Sequence, residues 1–234
     1  MSTASAGRRS RSVAENEGHA PSVIRQWVKR AVNVLCTIAV GPSAAMCAIE
    51  SAVTERGDVC FVFWAQTFAL VPGLPGVSLR RAFYRLTLDQ CDESFFIGFG
   101  AMFSHRHSRI EQDAYVGPYA VVGSTWLRRG CLIGTRSSIV SGTGLHSQDS
   151  QGRWMPTDVT RIRQVEIGEY AWIGEGSIVM ADIGPSAMVG AGSVVSSRVP
   201  ARVVVVGNPA RIARRLTADA DEGSQGAAQG VSVR

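Results

Sequence analysis

The chain has 234 residues, 45% hydrophobic and 18% charged, with 25 glycines, 7% aromatics and a net charge of +5. That length holds one large domain, or one domain with an appendage, and the glycine-rich composition favours turns and small interior side chains over a thick helical core. The arginines are dispersed rather than interleaved with aromatics, so nucleic acid is not an expected partner. The five cysteines are widely spaced and contain no C-x-x-C, which excludes a disulfide framework or zinc ribbon and points to reduced thiols in a cytoplasmic protein.

Residues 1–22 mix Ser, Ala, Gly, Arg and Glu without periodicity and are expected to form a mobile tail with no secretory signal. A hydrophobic helical region over 23–94 follows, built on two uncharged runs at 31–49 and 59–79. Each run approaches the ~20 residues a helix needs to cross a bilayer. Arg25, Lys29 and Arg30 precede the pair, and Arg80, Arg81 and Arg85 follow it, which suits a hairpin with both ends on the cytoplasmic side. Gly41-Pro42 is expected to interrupt the first run, and Pro72, Gly73, Pro75 and Gly76 to end the second early. The region therefore reads either as an interfacial hairpin on the inner face of a membrane or as helices capping a soluble core.

From Ile97 the pattern changes. IGFGAM, IEQDAY, VGPYAV, IGTRSS, IGEYAW, IGEGSI, IGPSAM and VGAGSV each begin with Ile or Val, mostly carry Gly second, and mostly place Ala or Ser fifth. Aliphatic residues recur in steps of six at 110, 116 and 122, and at 127, 133 and 139. Neither a helix nor a plain strand has that period, whereas a β-solenoid does. The aliphatic residue points inward and stacks on its counterpart in the next coil, and the small residues let the chain turn. The expected fold is mainly β: a solenoid over 95–200 of four to five coils, interrupted by an extruded loop at 141–165. A short C-terminal helix in 201–216 and a second mobile tail at 217–234 complete it.

Within the interruption, SGTGLHSQDSQGRW (141–154) holds His146, one of four histidines in the chain. On context alone His146 is a candidate base or a solvent-facing loop residue. Asp149 and Asp158 are candidates to orient it. His105 and His107, in FSHRHS, could line an acceptor pocket, decorate a turn, or contribute to a zinc site by the H-x-H spacing.

IGEYAWIGEGSIV (167–179) and IGPSAMVGAGSVVSSRVPARVVVVGNPARIARRL (183–216) resemble the C-terminal signature of the hexapeptide-repeat acyltransferases, including sugar and exopolysaccharide O-acetyltransferases. The resemblance covers roughly 95–216, about half the chain. It implies a left-handed parallel β-helix, a homotrimer, and acetyl-CoA lying in a groove between subunits, with no metal. His146 matches the family's loop histidine, which acts as general base; imidazole changes protonation near neutral pH and is suited to take a hydroxyl proton.

By the same resemblance Trp172 borders the acyl-CoA tunnel, or anchors the trimer interface, while Gly174, Ala191 and Gly192 leave room for the pantetheine arm. Ser196 and Ser197 stand where the family often has Thr-Lys. Arg211, Arg214 and Arg215 are placed for the CoA phosphates, or as partners of a helix end. VGPYAVVG (116–123) departs from the asparagine-rich coil of enzymes acting on small free glycosides and leaves Tyr119 as the long polar-tipped side chain facing the acceptor. The function implied is acetyl transfer to a saccharide hydroxyl, on a free or lipid-linked acceptor. The alternatives are a non-enzymatic scaffold or membrane tether and, third, a zinc-dependent lyase of the carbonic-anhydrase type.

Overall fold

The computed structural model describes residues 23–54, 58–141, 146–156 and 161–216. Three helices precede the solenoid: α1 (Val23–Val53), α2 (Val59–Ala69) and α3 (Gly73–Thr87). Contrary to the expectation from Gly41-Pro42, α1 is one continuous helix of 31 residues with Pro42 inside it. Proline removes one helical hydrogen bond and crowds the preceding turn. Here Val40, Ser43 and Cys47 are buried on either side of Pro42, so packing holds the helix through the defect. The second apolar run is two helices: α2 stops at Ala69, and Pro72 stands at the N-cap of α3. With 11 and 15 residues, neither has the length of a bilayer span.

Arg80 joins these helices to the solenoid. Its fully buried guanidinium donates through Nη1 to the carbonyls of Phe68 (2.9 Å) and Val71 (2.8 Å), which closes the C-terminal end of α2. Through Nε it donates to Ile97 O (3.2 Å), on the solenoid's second strand. Gly76 makes room for this, since a Cβ there would lie 1.9 Å from Val71 O. Beside it Phe61 stacks on Phe83, Tyr84 packs edge to face with Phe83 and Phe103, and Phe103 N–H donates to the Tyr84 hydroxyl at 3.1 Å.

The solenoid has three parallel faces and about six turns. On its second face Ile97, Val116, Ile133, Ile173, Val189 and Val205 pair in register, all nearly or fully inaccessible to solvent. The first five of these open hexapeptides, and each buried aliphatic contributes roughly 1.5–3 kcal/mol. The glycine in second position is a steric requirement: at Gly174 a Cβ would sit 2.5 Å from Ala191 N and 2.7 Å from Val189 O of the next coil.

The coil count exceeds the four to five expected because rungs lie outside the hexapeptide beat. Strand Gln90–Cys91 opens the solenoid ahead of the first hexapeptide, and Val203–Gly207 adds a last rung from an unpunctuated valine run. The short C-terminal helix is also corrected. Ala210–Arg215 is a strand, antiparallel to Val203–Gly207 across Asn208-Pro209. The last coil exposes an open row of backbone donors and acceptors, and folding back to pair them outweighs the helical propensity of ARIARR.

The outward residues separate the faces. The first carries Gln90, Arg109, Trp126 and Glu166, with the Arg109 and Arg128 guanidinium groups 5.2 and 4.1 Å from the Trp126 ring centre. The second carries Phe96, Tyr115, Leu132, Trp172 and Met188. The third carries Met102, Val121, Ser138, Ile178 and Val194. One face is charged and two are apolar.

Candidate active site

The solenoid is interrupted between strands Ser138–Ile139 and Val165–Ile167. Arg163 N–H donates to Ser141 O at 3.0 Å, the Ser141 hydroxyl accepts from Ser124 N–H at 2.7 Å, and Arg163 pairs with Asp182. The chain therefore leaves and re-enters the wall at one pinned point. Residues 142–145 and 157–160, with the candidate Asp158, lie outside the described residues.

Residues 147–155 form a small hairpin. Gln148 bridges Trp154, Met155 N–H donates to Ser147 O at 2.8 Å, and Asp149 N–H donates to Arg153 O at 3.0 Å. Gly152 takes a positive φ of 77° at its tip. His146 stands exposed at the foot of this hairpin with Nδ1 3.0 Å from Met155 O. A carbonyl oxygen only accepts, so Nδ1 carries the proton and the lone pair of the neutral ring is on Nε2. A backbone carbonyl thus holds the imidazole in the tautomer a general base needs.

Asp149 does not orient it. Its carboxylate accepts from Arg153 N–H (2.9 Å), Arg153 Nε (2.7 Å) and Gln151 N–H (2.8 Å). Those bonds, first the Arg153 backbone and then its side chain, hold the carboxyl below the usual carboxylate range. Asp149 is the hairpin's organiser. The Met155 carbonyl has no side-chain signature and could not have been read from the sequence.

His105 and His107 do not share a strand face; they flank Arg106 in the corner between strands Met102–Phe103 and Arg109–Ile110. His105 Nδ1 lies 3.3 Å from Asp58 Oδ2, so its ring is a contact to the helical layer rather than a pocket lining. Arg106, between the two histidines, makes the contacts that matter most in this corner. It donates to Asp58 Oδ1 (2.7 Å), Glu50 Oε2 (3.0 Å) and Cys47 O (3.0 Å), and so bolts the end of α1 to the solenoid. His107 is exposed, 3.3 Å from Asp89 Oδ1, and its carbonyl accepts from Gln164 Nε2 at the root of the extruded loop. Tyr119 packs edge-on to Phe99 at 5.6 Å and over Gly100 and remains half exposed.

Trp172 points outward from the second face, flanked by Leu132 and Met188, and is half exposed. Ala191, Gly192, Ser196 and Ser197 are exposed on the next coil, with Gly192 at a positive φ of 68°. Gly174 is a correction. It is buried under Ala191, with its N–H donated to Val189 O and its carbonyl accepting from Ser137 Oγ at 2.9 Å, so it offers nothing to a bound molecule. Beyond it, Ser197, Arg198, Pro200, Arg211 and Ile212 line a cleft of about 380 Å³ at the solenoid's end. Two guanidinium groups and a hydroxyl in one cleft suit a phosphate. Arg214 is exposed on the same terminal strand but does not line the cleft; on a strand, neither it nor Arg211 or Arg215 can serve as a helix-end partner.

Among the described residues no group of His, Cys, Asp and Glu is placed to hold a metal ion. Burial pushes the Cys91 and Cys131 thiols up to about 12, so neither supplies a thiolate nucleophile at neutral pH.

No family model and no curated protein matches the chain. Solved structures do. A galactoside acetyltransferase in complex with coenzyme A superposes with a TM-score of 0.50 at 17% identity, over 66% of this chain and 80% of that one. A maltose O-acetyltransferase from Clostridium difficile 630 gives 0.49 at 19% identity, over 67% and 85%. A hexapeptide transferase family protein from Anaplasma phagocytophilum gives 0.37 at 19% identity over 51% of this chain; the chain spans 63% of that relative, less than two thirds of its length. The structural neighbours are hexapeptide-repeat acetyltransferases, and this chain shares with them the parallel β-helix fold.

Proposed function

We propose that the chain is an acyl-CoA-dependent O-acetyltransferase acting on a saccharide hydroxyl in the cytoplasm, with His146 as general base. The observation that carries this reading is the His146–Met155 contact, which leaves Nε2 unprotonated at the exposed foot of an extruded hairpin. An alcohol is a weak nucleophile until its proton is removed, and a positioned imidazole removes it as attack begins. Nε2 takes the hydroxyl proton while the oxygen bonds to the thioester carbonyl carbon. As the carbon–sulfur bond breaks, the imidazolium returns that proton to the departing thiolate, giving the acetyl ester and free CoA.

In this reading Arg211 and Ser197 meet the CoA phosphates at the terminal cleft, together with Arg198, and Ser196, Ala191 and Gly192 lie along the cofactor's path. Trp172 borders the thioester. The acceptor side falls to Tyr119 and to the corner holding His107, whose carbonyl meets the loop root. His105 is withdrawn from that role because Asp58 occupies it.

Assembly as a homotrimer is supported by the face chemistry: a prism with two apolar faces and one charged face has what threefold packing requires, two buried and one wet. His146 then acts across a subunit boundary. The test is CoA titration by calorimetry, followed by assay of CoA thiol release from acetyl-CoA with a panel of saccharide acceptors. Absence of CoA binding would instead favour a scaffold or tether.

A further inference from the structure

Helix α1 is packed inside out. The stripe it buries against α3, α2 and the solenoid consists of Asn33, Cys36, Thr37, Val40, Ser43, Cys47 and Glu50. Asn33 Oδ1 accepts from Arg81 Nη2 at 3.0 Å, and Glu50 accepts from Arg106 and from Cys60 N–H. The large aliphatics face away: Leu35 is 65% exposed, Ile38 68%, Ile49 65% and Val53 78%. Between residues 31 and 49 there is no charged side chain at all. A water-facing helix has the opposite arrangement, with its aliphatic stripe inside and charges outside. Nineteen residues at about 1.5 Å each make an uncharged outer face of roughly 28 Å, far beyond a scattered surface apolar residue.

We infer that this face lies in the headgroup–acyl boundary of an anionic bilayer, along the membrane rather than across it. Residues 30–53 are apolar and long enough to cross a membrane by length and composition. Crossing is opposed by the packing: Asn33 at one end and Glu50 at the other are tied to Arg81 and Arg106, so α1 runs along the body with only its outer half free. A helix held in that way buries one face in the interface. Its head carries the matching chemistry. Trp27 is 65% exposed with the Arg30 guanidinium 5.8 Å over its ring, a pair that suits headgroup depth.

Arg25, Lys29 and Arg30 precede the uncharged run in sequence, and basic clusters beside an apolar helix are drawn to anionic lipid. Among the described residues, the acids Glu50 and Asp58 that follow the run are both paired with Arg106. A second copy of the chain on this face would bring the same basic clusters together. Phe63 on α2, Leu70 at its C-cap and Leu74 at the start of α3 are exposed in the same helical layer. This inference does not depend on the acyl-transfer chemistry.

The test is vesicle flotation of the full chain without detergent, using phosphatidylcholine alone or with about 30% phosphatidylglycerol. The wild type is expected to float with the anionic vesicles and less with the neutral ones. Leu35→Glu/Ile38→Glu should reduce flotation by about tenfold or more. Both side chains are exposed, so thermal melting should be unchanged; Leu35→Ser/Ile38→Ser serves as the milder control if the charged pair folds poorly. The proposal is overturned if the wild type stays with neither vesicle, or if both double variants float as the wild type does. A fall in particle mass of the variants with no flotation of the wild type also overturns it, and assigns the face to a second copy.

Discussion

The imidazole of His146 is held by the carbonyl of Met155, 3.0 Å from Nδ1, across a hairpin whose other end is organised by Asp149 and Arg153. The imidazole is thus positioned by backbone geometry, and the geometry by a carboxylate that never touches the ring. With His146 as the proposed base, this separates the residue of proton transfer from the residues of shape.

The first prediction follows from that separation. His146→Ala should keep CoA affinity and melting temperature but lose turnover by about 10²–10⁴-fold, the usual weight of a positioned base. Met155→Ala should be nearly silent, because its side chain is not the contact. Asp149→Ala should lower kcat through loop disorder, with partial retention in Asp149→Asn, which keeps an acceptor oxygen. Equal activity of His146→Ala and wild type would end the assignment.

Asp149 also sets a pH limit on the hairpin. Its folded-state pKa lies below the unfolded value, so its contribution is present above the ordinary Asp range, about 4, and is lost as pH falls through the depressed value. Asp58 behaves alike. Burial pushes its carboxyl up, but hydrogen bonds from His105 and Arg106 outweigh that and hold it low. Acidification should therefore loosen the loop and the α1 anchor without unstacking the solenoid core. Backbone hydrogen exchange at 147–155 and in α1, measured across the acid range, checks this.

Arg106 is the stronger structural test. It serves Glu50, Asp58 and the Cys47 carbonyl, and both acids are largely shielded from water. Arg106→Ala should cost about 3 kcal/mol, because two partly buried carboxylates lose their partner. Lysine should recover only part, since a single ammonium cannot span three acceptors in the guanidinium's planar geometry. Denaturant melts of the three proteins supply the ordering.

These residues also show what was legible in the sequence. The solenoid was, because the hexapeptide beat is a local steric code: an aliphatic residue that must stack, then a glycine under the next coil's backbone. His146 was legible as the histidine in the break. The roles of Arg80 and Arg106 were not: Arg80 bonds to backbone carbonyls, which carry no side-chain signature, and Arg106 to groups 48 to 59 positions away, which leave no spacing to read. Continuity of α1 through Pro42 and the terminal strand were hidden for a related reason: long-range packing and an open sheet edge overrode local signals. His105 sits in a turn, one of the readings its context left open, and its contact was hidden because the partner, Asp58, lies 47 positions away.

Two glycines separate wall from groove. Gly174→Ala would put a methyl 2.5 Å from Ala191 N, and backbone cannot move aside as a side chain does. A loss of about 3 kcal/mol is expected from such overpacking, with CoA affinity of the folded fraction unchanged. At Gly192 nothing lies within 4 Å of an added Cβ, and the cost is only that of a positive φ, about 1 kcal/mol. Because Gly192 is exposed on the coil assigned to the cofactor's path, its alanine variant should lower CoA affinity more than stability. Thermal melts paired with CoA titrations distinguish the two patterns, and a reversed pattern would move the cofactor's path off this coil.

The terminal cleft supplies the last prediction. Arg211 lines it beside Ser197 and Arg198, whereas Arg214 lies on the same strand outside it. If the cleft takes the 3′-phosphate of CoA, Arg211→Ala should weaken CoA binding about tenfold, the loss of one charge-assisted contact, while Arg214→Ala changes it little. Dephospho-CoA provides the control. It should bind the wild type about as weakly as CoA binds Arg211→Ala, and the variant should no longer distinguish the two ligands. A variant that still prefers CoA over dephospho-CoA by the wild-type ratio would place that phosphate elsewhere, and the exposed guanidinium of Arg198 would be next to test.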